Sequence, residues 1–128
     1  MTNRIAYLDG ARLRRCLQSG LQQLISQREY LNRINVFPVA DGDTGNNLAH
    51  TARAALTGML EHERATVSET VEGLANGALD GAQGNSGVIL AQFMQGLAEG
   101  LDGKERADTK NFATALKIAA AASRAALT

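Results

Sequence analysis

Two carboxylates, Asp41 and Asp43, flank Gly42 within the run Asn32-Arg33-Ile34-Asn35-Val36-Phe37-Pro38-Val39-Ala40-Asp41-Gly42-Asp43-Thr44-Gly45-Asn46-Asn47. In a tight turn or an extended backbone such a pair converges on one cation, and the glycine keeps the approach open. Oxygen donors without His or Cys select a hard ion, and magnesium is the usual one where phosphate oxygens and waters complete the shell. Asn35 offers a further carbonyl oxygen just before the turn. The plainer reading is a turn whose Asp and Gly only cap the helix that follows. A calcium loop of the EF-hand type does not fit. Gly45 and Ala52 would stand where the fifth and twelfth positions need oxygen ligands, and Asn46 where the sixth needs glycine.

A second stretch, Gly84-Asn85-Ser86-Gly87, leads directly into the apolar run from Val88. Small residues at a helix start let an anion approach, and the first-turn N–H groups and the helix dipole favour negative charge there. Asn and Ser are also ordinary caps, so this stretch carries weight only beside the first. No Walker loop is present: Gly103-Lys104-Glu105 lacks both the glycine spacing and the following Ser or Thr. A nucleotide would therefore be held through metal and helix ends. His50 and His62 read as surface residues, and Cys16 reads as part of an apolar helix face.

These groups need helices to position them, and the composition supplies them. The 128 residues are 45% apolar, mostly Ala and Leu, with 4% aromatic residues and no Trp, a mixture that favours helix over sheet. Thirteen basic and thirteen acidic side chains cancel, which leaves no broad field for nucleic acid or an anionic membrane. A lone Cys16 excludes an internal disulfide and a thiolate zinc site. No segment reads as a signal peptide or a bilayer span, so the expected location is the cytoplasm.

Apolar spacing predicts a helix through Leu13, Cys16, Leu17, Leu21 and Leu24 with Asp9 as N-cap, and a short helical turn at Tyr30 to Ile34 before Pro38. A second long helix runs from Gly45 or Asn46 through Leu48, Ala52, Ala55, Leu56 and Met59. A third opens with the capping box Thr66 and Glu69 and buries Val71, Leu74, Ala75, Ala78 and Leu79. The Gly84 helix, with Val88, Ile89, Leu90, Phe93, Met94, Leu97 and Leu101, reads as the most buried. Asp108 caps a last helix with Phe112, Ala115, Leu116, Ile118, Ala119 and Ala122 inward. The whole chain, 1–128, reads as one all-α domain without strands or internal repeats. Its apolar stripes call for further cover, from a longer chain or from another chain such as a second copy in a dimer.

Asn35-Val36-Phe37-Pro38-Val39-Ala40-Asp41-Gly42-Asp43-Thr44-Gly45-Asn46-Asn47, followed by Gly81-Ala82-Gln83-Gly84-Asn85-Ser86-Gly87-Val88-Ile89-Leu90-Ala91-Gln92, closely resembles the nucleotide-binding domain shared by the L subunit of dihydroxyacetone kinase (DhaL) and the N-terminal part of bacterial fatty acid kinase. The Asn-Val-Phe-Pro-Val form is more similar to the fatty acid kinase branch, the Dak phosphatase or kinase-like group. The resemblance implies an antiparallel helical barrel or bundle, incomplete at its C-terminus, with ATP or ADP and two magnesium ions at one end. It implies Asn35, Asp41 and Asp43 as metal ligands, and Thr44, Asn46, Asn47, Gly84, Asn85, Ser86 and Gly87 as phosphate contacts. No catalytic residue beyond the metal ligands is assigned.

The expected activity is phosphoryl transfer to an acceptor, a fatty acid carboxylate, brought by a separate fatty-acid-binding protein of the DegV type or by another acceptor-carrying subunit. The competing expectations are a non-catalytic or regulatory nucleotide-binding module and an inert helical bundle.

Overall fold

The computed structural model describes residues 6–34, 42–62 and 65–127. They form six helices: α1 (Gly10–Ser26), α2 (Arg28–Arg33), α3 (Thr44–Met59), α4 (Val67–Gly81), α5 (Gly84–Gly100) and α6 (Thr109–Ala125). The domain is an all-α bundle. Among the described residues the only β-type pairing is one antiparallel bridge, in which Leu8 and Ala107 exchange backbone bonds of 2.8 and 2.9 Å. No helix among them is long and apolar enough to cross a membrane.

The helix starts follow local chemistry. Asp9 accepts from the Arg12 N–H and caps α1. Thr66 and Glu69 form the expected capping box on α4, and Asp108 and Asn111 form another on α6. The α4 start is closed further by two carbonyls of the loop after α5, which accept from the Val67 and Ser68 N–H groups.

Small residues decide how the helices meet. Along α3 and α4, Gly58 lies on Gly73 and Gly77, and Ala54 on Gly77 and Gly81, an antiparallel register in which the backbones nearly touch. α5 and α6 repeat this, with Gly96 on Ala119 and Gly100 on Ala115. α3 is the hub, packing against α1, α2, α4 and α5, whereas α6 packs on α5 alone. The core gathers Leu13, Met59, Val67, Val71, Leu74 and Leu101 around a lattice of buried alanines.

Four expectations about burial need correction. Cys16 is exposed, because the buried stripe of α1 runs through Gly10, Leu13 and Leu21, which leaves Cys16 roughly a third of a turn away. Leu79 is exposed, beside the buried stripe of α4 that ends at Ala78. Leu116 and Ile118 are exposed because one neighbouring helix covers only a narrow strip of α6, its Ala115 and Ala119. α5 is not the most enclosed helix: Val88 is 44% exposed, whereas α4 fully covers Val67, Val71 and Ala75 between its neighbours.

Two glycines with opposite surroundings test this packing. A Cβ at Gly77 would press on the Ala54 carbonyl and lie 3.1 Å from the Gly58 backbone, whereas Gly20 has nothing within 4 Å. Gly77→Ala is therefore expected to lower the unfolding free energy by about 1–3 kcal/mol despite its better helix propensity. Gly20→Ala should raise it by roughly 0.5–1 kcal/mol. Urea titration followed by circular dichroism reads both, and a stabilising Gly77→Ala would refute the close α3–α4 approach.

The α4 cap also titrates. Hydrogen bonds from the Thr66 backbone N–H and hydroxyl hold the Glu69 carboxyl below its ordinary value of 4.5, with a smaller pull from His62 against a slight opposing effect of desolvation. A lowered folded-state pKa contributes stability above the unfolded value, and that contribution disappears as pH falls through the folded value. Between these two values the stability difference between the wild type and Glu69→Gln should shrink steadily on acidification. A difference that stays constant across the acid range would show that the ionised carboxylate adds nothing to the cap.

Candidate functional site

The two sequence motifs meet at one end of the bundle. α3 and α5 run parallel with their first turns side by side, since the Asn47 side chain lies against Gly84 and the Thr51 hydroxyl lies against Gly87. Ser86 Oγ donates to the Thr44 carbonyl at 3.3 Å, and the Gln83 N–H donates to Thr51 Oγ1 at 3.3 Å. Gly84 has φ +70°, a left-handed value, and a Cβ there would run into the Asn47 amide. Both facts require glycine.

These are also the two long helices whose N-cap side chains make no capping bond. α1, α4 and α6 are closed by Asp9, Thr66 and Asp108, but Asp43 on α3 and Gln83 on α5 contribute none. As in the capped helices, the α3 ladder starts at the fourth residue, where the Asn47 N–H bonds the Asp43 carbonyl at 3.0 Å, and the Asn46 N–H before it is taken by Asn32. Each helix start carries roughly half a positive charge from its dipole, and two parallel starts side by side add their fields. The arrangement is suited to an anion with several oxygens.

α2 braces the first of these starts. Asn32 Oδ1 accepts from the Asn46 N–H at 3.0 Å, while Asn32 Nδ2 donates to Asn46 Oδ1 at 3.0 Å. Gly45 lets this turn settle onto the Arg28 carbonyl.

Asp43 is exposed at the α3 N-cap, next to Gly42 at φ +75°. Asn35 and Asp41 lie outside the described residues. Thr44, Asn47 and Ser86 are half-buried where the helices touch, Gly87 is buried, and Asn46, Gly84 and Asn85 are exposed. Asn46 has its side-chain oxygen engaged by Asn32, which leaves its Nδ2 as the donor that can face outward. His50 and His62 are exposed, as expected; His62 lines a separate cleft of about 330 Å³ between α3 and α4 with Glu61, Glu72 and Asp80. Among the described residues no three His, Cys, Asp or Glu side chains gather as a metal would need. A metal set at the first motif therefore depends on Asp41 and Asn35 joining Asp43.

Asn32 and Thr51 are the contributors the sequence did not single out. Thr51 follows Asn47 by one helical turn, a spacing at which a hydroxyl can bond back to the i−4 carbonyl. Nothing local marks its second partner on α5.

Comparison with known proteins adds the family. A profile of the DAK2 domain matches residues 38–128. The chain belongs to the DAK2 domain family. Both helix starts of this DAK2 domain fall inside the matched range. The family is of the dihydroxyacetone kinase type and binds nucleotide, in line with the DhaL-like resemblance in the sequence. Similar full-length proteins include Protein YloV of Bacillus subtilis, 33% identical over 113 residues, and Uncharacterized protein SSP1546 of Staphylococcus saprophyticus, 32% identical over 113 residues. Uncharacterized protein SERP0792 of Staphylococcus epidermidis is 30% identical over 109 residues. The alignments cover 88, 88 and 85% of this DAK2 domain but 20% of each relative, so the chain spans about a fifth of their length.

Gly84→Ala tests the junction. It forces a side chain into left-handed backbone and against Asn47, which should cost about 1–2 kcal/mol and shift the first turn of α5. Thermal unfolding and the amide chemical shifts of Gln83 to Ser86 read the two effects. Unchanged values for both would refute the placement of Gly84.

Proposed function

We propose that this DAK2 domain binds magnesium-ATP at the α3–α5 junction and serves as the phosphoryl-transfer domain of a fatty acid kinase-like protein. The reading is supported chiefly by one observation: α3 and α5 start side by side and in parallel, within the two motifs that resemble the nucleotide site of the family.

The donor set fits a hard cation, with Asp43 at the lip of the junction and Asp41 and Asn35 on the adjoining stretch of chain. Bound there, magnesium would neutralise phosphate charge. The first-turn N–H groups of α5 would hold phosphate oxygens and stabilise negative charge that grows on them during transfer. Gly84 and Gly87 let the α5 backbone come up against Asn47 and Thr51, which narrows the space between the two helix starts. Thr44, Asn46 and Asn47 line the α3 side of the same space, with Asn46 oriented by Asn32. The acceptor, a fatty acid carboxylate, would be presented by a separate acyl-binding protein of the DegV type, and two magnesium ions with one nucleotide would complete the site. The domain 1–128 would thus act in the cytoplasm as the nucleotide-holding part of a larger system.

Calorimetric titration of magnesium-ATP into the chain and into Asp41→Asn and Asp43→Asn tests the site. The wild type should bind, and each variant should bind at least about tenfold more weakly, the loss expected when one charged partner is removed. Absence of binding by the wild type, or equal affinities, would overturn the reading. Phosphorylation of a protein-delivered fatty acid then separates a kinase from a regulatory module, since binding without turnover in the full-length protein would leave only the latter.

A further inference from the structure

We infer that Thr51 is a positioning residue that sets the α5 start at the height and angle at which its N–H groups meet the phosphates, an inference that rests on the nucleotide reading above. Thr51 lies two helical turns into α3 and is fully buried. Its hydroxyl has one proton, and that proton goes to the Asn47 carbonyl at 2.8 Å. The oxygen lone pairs are thereby turned towards α5, where they accept the Gln83 N–H at 3.3 Å. Gln83 is the N-cap residue of α5, so the bond pins the backbone one residue before the left-handed Gly84. Gly87, one turn further along α5, has no side chain between its backbone and the same oxygen.

One hydroxyl thus fixes the α5 start at two heights, beside Gln83 and beside Gly87. It is tied at the same time to Asn47, whose side chain touches Gly84. The order of the bonds matters. Without the proton given to the Asn47 carbonyl the hydroxyl could rotate, and without the lone pair given to the Gln83 N–H the turn before Gly84 would lose a hydrogen bond that ties it to α3.

The other fully buried threonine marks the contrast. Thr70 makes the same back-bond within its own helix, to the Thr66 carbonyl at 2.8 Å. Among the described residues its hydroxyl reaches no second helix. A purely structural role for buried threonine hydroxyls predicts similar consequences at both sites, whereas a positioning role predicts a loss of nucleotide affinity at Thr51 alone.

The experiment is magnesium-ATP calorimetry on the 128-residue chain and on Thr51→Val, Thr51→Ser and Thr70→Val, with amide hydrogen exchange at Gln83 and Gly84. Thr51→Val, which keeps the shape and removes the hydroxyl, should bind about tenfold more weakly and exchange the Gln83 amide faster. Thr51→Ser, which keeps the hydroxyl, should restore both, and Thr70→Val should leave both at wild-type values. If Thr51→Val does not fold, Thr51→Ala carries the same expectation. Wild-type affinity in the hydroxyl-free variant, or an equal loss in Thr70→Val, overturns the inference while the nucleotide site stands. A wild-type chain that does not bind magnesium-ATP overturns the nucleotide reading and this inference with it.

Discussion

Everything at the candidate site depends on how closely α5 can come to α3. Two parallel helices repel through their aligned dipoles, and the positive ends of α3 and α5 lie together. The contact persists because Gly84 and Gly87 remove side chains where the backbones approach, and because three polar groups, Asn47, Thr51 and Ser86, bridge what remains. An anion between the starts would relieve the repulsion. Two dipole ends of the same sign held this close make the junction the electrostatic setting on which the proposed site depends.

The rest of the fold serves that approach. α3 and α4 form one helical hairpin and α5 and α6 another, each held by glycine and alanine at backbone contact. Such interfaces tolerate little sliding, because the nearest neighbour of each glycine is backbone or an alanine Cβ that cannot move aside. α2 adds a brace from the opposite side through Asn32, so the first turn of α3 is fixed by α2 on one flank and by α5 on the other.

What the sequence discloses and what it withholds divide along this line. Asp9, the Thr66–Glu69 box and Asp108 are legible because a cap is made within four residues, and the helices they open are found where periodicity puts them. The pairing of the Asp43 and Gly84 motifs is legible only through family resemblance. The exposure of Cys16, Leu79, Leu116 and Ile118 is not legible, since an apolar residue on a helix declares a preference for cover but not whether a neighbour arrives. Asn32 and Thr51 are hidden for a related reason: their partners are fourteen and thirty-two residues away, and neither carries a local pattern that names its distant partner.

The Leu8–Ala107 bridge joins the approach to α1 with the approach to α6, nearly the whole described chain apart. Closing so long a loop is entropically slow, whereas each helical hairpin forms from near neighbours. The two hairpins can mature separately, each with full helical content, before the bridge and the α3–α5 contact unite them. The α3–α5 junction belongs to neither hairpin, so it is complete only when the two are docked, a state that helicity does not report.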